Sequence, residues 1–185
     1  MDASPTHAPD TQAPLDGWVL IDRPLSDLEA LYAGHFHGLS VQLYAFTGDL
    51  GVAQELVQEA FARAIPRWSK IVTYDDPLAW VRRVAFNLAK SRWRRMRTAA
   101  AFHRKHREEF GAEPTPDRVA IVAALAKLPE KQRRAVVLHH LADLPIADIA
   151  REEGVPEGTV RVWLHRGRTA LAGHLSECRS ERGNA

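Results

Sequence analysis

From Leu28 onward, Leu28, Tyr32, Phe36, Leu39, Leu43 and Phe46 keep a three-or-four-residue apolar rhythm that stops at Gly48, which predicts a helix with one buried stripe. Asp49 is placed to cap a second helix running to about Ile65. Its apolar stripe is Val57, Phe61 and Ile65, while Glu55, Gln58 and Ala62 point elsewhere. The short connection PRWSKIVTYD carries Trp68 and Tyr74 and leads into DPLAWVRRVAFNLAKSRWRRMR, residues 76–97. There Asp76 reads as an N-cap and Pro77 as the first helical residue of a helix of about five turns without Gly or Pro. Leu78, Val81, Ala85, Leu88 and Met96 share the stripe able to bury itself; Trp80, Arg83, Asn87, Lys90 and Arg94 lie opposite. With Trp68, Phe61 and Phe46, these three helices can close one small all-α core.

Periodicity fades from Thr98 to Pro116 and resumes near Asp117. Val119, Val122, Leu125 and Leu128 predict one helix, Pro129 interrupts, and Ala135, Leu138 and Leu141 predict the next. Residues 144–175 then read as helix, tight turn and longer helix. Ile146, Ile149 and Ala150 face inward on the first; Gly154, Val155 and Pro156 turn; Val160, Leu164, Leu171 and Leu175 face inward on the second. A small Ala150 beside a glycine turn lets two helices cross closely, as a helix-turn-helix requires. The expected fold is all-α: two small helical domains joined by a flexible linker, the second containing the helix-turn-helix. The expected boundaries are a disordered leader 1–23, a first domain 24–97, a linker 98–116, a second domain 117–175 and a tail 176–185.

Charge sharpens this picture more than composition does. The formal net charge of +2 hides a strong polarisation. Between Pro24 and Ala62 stand Asp27, Glu29, Asp49, Glu55 and Glu59 without a single Lys or Arg, whereas from Trp80 to Arg107 there are ten Lys or Arg and no acid. Two faces of opposite sign suit two different partners. The basic helix combines cations for phosphates, aromatics for stacking and an amide for a base edge, so it is read as a nucleic-acid surface; a merely solvated helix would mix both signs at i,i+4 spacing. The acidic and amide-rich face of the second helix suits protein docking. On the last helix Glu157, Arg161, His165 and Arg168 are left facing outward, where Arg can bond guanine in a major groove. Arginine outnumbers lysine 20 to 5, which favours bidentate phosphate contacts, although a GC-rich genome gives the same bias.

Other chemistry is sparse. Cys178 is the lone cysteine, so no internal disulfide or cysteine-based zinc site is expected. The longest apolar run, Val119 to Ala126, is eight residues, too short for a membrane span. The first 17 residues, MDASPTHAPDTQAPLDG, lack the basic and apolar regions of a signal peptide, which predicts a cytoplasmic protein with no membrane partner. Among the nine histidines, His35 with His37 and His139 with His140 diverge on their helices, and His103 with His106 falls in the linker. No phosphate loop, GxSxG, HExxH or EF-hand spacing is present. No cofactor, metal or catalytic residue is expected, and the enzyme reading is set aside.

Taken together, LYAGHFHGL and FTGD, then AQELVQEAFARA, then DPLAWVRRVAFNLAKSRWRR, then LAKLPEKQRRAVVLHHLADLPIADIAREEGVPEGTVRVWLHRGR resemble the extracytoplasmic function (ECF) sigma factors, two-domain members of the sigma-70 family. The resemblance covers roughly Leu28 to Leu175. It implies a dissociable promoter-specificity subunit of bacterial core RNA polymerase, held in most relatives by an anti-sigma factor. Gln54, Glu55, Gln58 and Glu59 inherit the polymerase-docking role. Trp80, Arg83, Asn87, Lys90 and Arg94 inherit capture of the minus-10 element as single-stranded DNA, with Asn87 near a flipped-base pocket whose loop Trp68 and Tyr74 flank. Arg161, Val162, His165 and Arg166 align with positions facing the duplex minus-35 element, and helix amides near Gly158 and Thr159 would anchor a phosphate. Three departures stand out: Pro145 in place of a serine N-cap, Val162 and Trp163 where Ser and Arg are common, and a longer leader. The competing reading is a stand-alone helix-turn-helix repressor or activator; it leaves the acidic and the aromatic-basic helices without a task.

Overall fold

The computed structural model describes residues 22–98 and 116–182, which form helices and the turns between them, with no strand among the described residues. Most of the expected leader and linker, the end of the tail, and the side chains of Arg94 and Met96 lie outside the described residues. Helix α1 spans Asp22–Thr47, opening slightly before Pro24, which is tolerated in a first turn where no amide partner is required. Gly48 ends it at φ +79°, with its amide donating to the Tyr44 carbonyl at 2.8 Å. Asp49 then caps α2 (Leu50–Ala64) by accepting from the Val52 amide at 2.9 Å. This tight corner sends α2 back along α1, where Tyr32 meets Phe61 edge-on at 5.0 Å.

A 3-10 turn, Ile65–Arg67, and the one-turn helix α3 (Trp68–Ile71) follow. Pro66 forces that change of winding, and it carries Ile65 off the stripe on which periodicity placed it: Ile65 is 54% exposed, and Leu56, Ala60 and Ala64 are buried instead. Trp68 and Ile71 plug the base of the core. Helix α4 (Pro77–Thr98) begins as the sequence predicts, the Ala79 amide donating to Asp76 Oδ1 at 2.9 Å. Its buried side is broader than expected. Besides Val81 and Ala85 it buries Arg82, Phe86 and Ala89, while Leu78 and Leu88 are only half-buried. Phe86 packs edge-on against Phe46 of α1 at 5.3 Å.

The second half consists of α5 (Pro116–Ala126), α6 (Glu130–His140), α7 (Ile146–Glu153) and α8 (Glu157–Arg182). Val119 sits in the first turn of α5 facing solvent and Leu141 caps α6, so both stay exposed; Ala124, Leu125, Leu128, Val137 and Leu138 carry the packing. Six consecutive residues, Arg133 to Leu138, are buried because α6 lies between α8 on one side and α1 on the other. Gly154, at φ +66°, closes α7 and the Val155 amide reaches the Ala150 carbonyl at 3.0 Å, which makes the turn of the helix-turn-helix. Gly167 admits close contact of α8 with α6: a Cβ there would lie 2.8 Å from Val136 Cγ2. Both halves share one apolar core, and α1 touches α5 and α6 directly.

Candidate nucleic-acid and protein-docking surfaces

Helix α4 presents Arg83 and Asn87, one turn apart, to solvent on the side away from Val81 and Ala85. Trp80 lies a turn earlier and is half-buried against the core. Lys90 is half-buried and its Nζ lies 3.4 Å from Glu130 Oε1 at the start of α6. The structure therefore brings Trp80, Arg83, Asn87 and Lys90 along one side of α4, with the side chain of Arg94 outside the described residues. Tyr74, in the loop before α4, is 40% exposed beside Val72, whereas Trp68 is buried with its indole Nε1 lacking a hydrogen-bond partner. Of the two aromatics expected at that loop, Tyr74 is the accessible one.

On α2, Glu55, Gln58 and Glu59 are exposed and Gln54 is half-buried, because Ala53, Leu56, Val57 and Ala60 occupy the inward stripe. Glu59 pairs with Arg63 one turn later at 2.8 Å. Glu55 Oε2 receives Arg92 Nη1 of α4 at 2.9 Å, which ties the acidic face of α2 to the basic helix. Both pairs are open to water, where such contacts contribute little and rearrange readily.

The start of α8 is a third surface. Gly158, Arg161, Val162, His165 and Arg166 are exposed and Thr159 is half-buried, while Val160 and Leu164 hold the helix to the core. Arg161 Nη2 lies 2.7 Å from Glu157 Oε2, an i,i+4 pair that must open or swing aside for the guanidinium to reach a base. Val162 leaves an aliphatic side chain 45% exposed between cations, a contact suited to a thymine methyl. The Thr159 amide already donates to the Pro156 carbonyl at 2.9 Å. Of the two amides expected to hold a phosphate, Gly158 is therefore the one left at the open helix end.

Sequence reasoning missed a set of charged residues at the junction of the two halves. Arg82 pairs with Glu152, Arg134 Nε stands 2.6 Å from Glu153 Oε1 as an ionic approach rather than a directed hydrogen bond, and Arg133 is buried against Phe46. Burial lowers the pKa of Arg133 and Arg134, with Glu130 and Glu153 respectively acting to raise it. Burial also raises the carboxyl pKa of Glu153, against the nearby Arg134. Two arginines preceding AVVL and the acidic pair ending α7 were the available signals, but their partners lie far away in sequence. His139 Nδ1 is 2.9 Å from the Leu144 carbonyl and its ring meets His140 edge-on at 4.8 Å. Among the described residues no group of three or more His, Cys, Asp or Glu is placed to hold a metal ion, and no helix is long and apolar enough to cross a membrane.

These surfaces coincide with two family matches. The family described as Sigma-70 region 2 matches residues 35–98, and the one described as Sigma-70, region 4 matches residues 118–171. The RNA polymerase sigma-E factor of Streptomyces antibioticus is 33% identical over 127 residues, covering 66% of this chain and 70% of the relative. The ECF RNA polymerase sigma factor SigF of Caulobacter vibrioides is 30% identical over 171 residues, covering 88% of this chain and 94% of the relative. In fold, the chain is similar to the sigma factor RpoE of Bartonella quintana, solved with the anti-sigma factor NepR, at a TM-score of 0.70 and 19% identity, over 81% of this chain and 97% of that one.

Proposed function

We propose, from the premise that this chain belongs to the ECF sigma factors of the sigma-70 family, a division of labour among its three surfaces. The chain is an alternative RNA polymerase sigma factor, a regulatory transcription initiation factor. Residues 24–97 act as the polymerase-docking and minus-10 domain, residues 117–175 as the minus-35 domain, and residues 98–116 as the linker between them. Gln54, Glu55, Gln58 and Glu59 dock on core polymerase. Asn87 and Trp80 take up an unpaired minus-10 base while Arg83, Lys90 and Arg94 hold the strand's phosphates; extruding a base costs a few kcal/mol, offset by stacking and edge contacts. Arg161, Val162, His165 and Arg166 read the minus-35 duplex, and Gly158 with Thr159 fixes the helix end near a phosphate.

The observation that carries this reading is the pairing, on one short chain, of an exposed cation-amide face at Arg83 and Asn87 with an exposed recognition face at Arg161 to Arg166. Strand capture and duplex reading then need no covalent chemistry by this chain. The protein works in the cytoplasm, where polymerase and DNA are, and an anti-sigma factor is its regulator, as NepR is the anti-sigma factor solved with RpoE. Run-off transcription from a fragmented-genome library with core polymerase tests the reading. Start sites that need the protein and share two spaced upstream elements support it. Protection of duplex sites by the protein alone, with no transcript, supports a repressor instead.

A further inference from the structure

Lys131 stands in the first turn of α6, where the positive end of the helix dipole disfavours a cation and where Pro129 supplies no side-chain cap. Its place therefore does nothing for α6 itself. The side chain is exposed and reaches across to α8, with Nζ 5.5 Å from the ring centroid of Trp163. Trp163 is half-buried and packs against the core, which limits how far its ring can move. Gly167, one turn on, lets α8 approach the neighbouring residue of α6: a Cβ there would lie 3.4 Å from the Gln132 carbonyl. Backbone packing thus sets the distance between the lysine and the ring.

Charge singles out the same place. The exposed cations Arg63, Arg92, Arg151 and Arg161 each lie against a carboxylate. Among the described residues no ion pair involves Lys131 or Arg166, and both are exposed. At about 100° per residue, Trp163 lies about 60° round α8 from Arg166, on the side toward α6. The two unpaired cations therefore bracket the indole at one flank of the recognition face. A helix in a major groove runs between two sugar-phosphate backbones, and the contacts that orient it go to their phosphates.

We propose that Lys131 anchors one phosphate of the minus-35 duplex and that Trp163 is the positioning residue that holds its ammonium at that flank, so that Arg161, Val162, His165 and Arg166 meet the base edges in one register. The proposal rests on α8 being the minus-35 helix. An ammonium attracted to a ring face keeps N–H donors turned away from the ring, free for a phosphate oxygen. A long side chain already restrained by the indole also loses less freedom when it grips that oxygen.

The test uses holoenzyme formed from core polymerase and the full chain, on a duplex promoter found by run-off transcription, with phosphate ethylation interference and affinity against salt as readouts. In the parent, ethylation of a phosphate beside the minus-35 element blocks binding. Lys131→Ala loses interference at that phosphate alone, weakens binding about fivefold on all minus-35 variants alike and lowers the salt slope by about 0.9; Lys131→Arg restores the interference. Trp163→Leu weakens interference at the same phosphate and Trp163→Phe keeps it, whereas a tryptophan that only packs the core would affect every minus-35 phosphate equally. Unchanged interference and salt slope in Lys131→Ala overturn the anchor. A loss that differs among minus-35 variants also overturns it, because Lys131 then reads a base. Parent-like interference in Trp163→Leu overturns the positioning role. If the parent holoenzyme shows neither interference nor base preference at minus-35, the assignment of α8 fails and takes the anchor with it.

Discussion

Arg133 donates from Nη1 to the carbonyl of Phe46 at 2.8 Å, and so the second half of the chain caps the last turn of α1. Its Nη2 donates to the carbonyls of Ala126 and Leu128 at 2.9 and 3.1 Å, at the end of α5. One buried cation thus serves the C-terminal ends of two helices, where orphaned carbonyls and the helix dipoles both favour positive charge. Phe46 also offers its ring, 5.5 Å from the guanidinium.

Replacing Arg133 by Met keeps much of the volume and removes all three donations. Buried carbonyls left without partners cost about 1–3 kcal/mol each, so the variant is expected to lose about 3 kcal/mol or more in urea melts. A loss under about 1 kcal/mol would show that water takes over at these carbonyls and that the contact matters little.

Gly167→Ala puts a methyl 2.8 Å from Val136 Cγ2 and 3.4 Å from the Gln132 carbonyl. Overpacking of that kind destabilises by about 1–3 kcal/mol. Adding Val136→Ala makes room, so the double variant should be more stable than the sum of the single changes predicts, by thermal or urea melts. Strict additivity would place the clash elsewhere.

Glu153 gives the fold a defined pH response. Burial raises its pKa above the ordinary 4.5, so between that value and its folded value the folded chain binds a proton that the unfolded chain has released. The contribution of this group to stability is therefore greatest at low pH and declines as pH rises through the folded pKa. In Glu153→Gln the response is absent, while the effect of leaving Arg134 beside an amide is the same at each pH. Stability of the parent minus that of the variant, from urea melts above pH 4.5, should fall with rising pH and then level off. A difference that grows with pH contradicts the assignment.

Much of this architecture is written locally. The rhythm from Leu28 to Phe46, the stops at Gly48 and Gly154, and the caps at Asp49 and Asp76 each need only neighbouring residues, and each is present in the structure. The junction is different in kind. Arg82 with Glu152 and Arg133 with Phe46 are pairs separated by 70 and 87 residues, and no periodicity relates them. For the same reason α6 reads as an amphipathic helix with a wet side, yet it is buried all round from Arg133 to Leu138. The outward faces were legible because α4 and α8 each leave cations at helical spacing once their apolar stripes are assigned. Tyr74 and Trp68 look alike in sequence, and only packing separates the exposed ring from the buried one.

Base reading and phosphate holding separate by salt. Arg161→Ala should weaken promoter binding by about 1–3 kcal/mol and relax the preference at one minus-35 position, with competition among operator variants as the measurement. Arg83→Ala should instead weaken strand binding alike for all sequences and lower the salt slope by about 0.7. If Arg161→Ala leaves the preference unchanged, Arg161 does not read a base.

Permanganate footprinting of a run-off promoter, with core polymerase and this chain added singly and together, tests the central claim most directly. The account predicts reactive, unpaired thymines in the minus-10 region only when both are present, with Asn87→Ala reducing that signal while protection at minus-35 remains. Protection by the chain alone, with no unpaired thymine in the presence of polymerase, would contradict it.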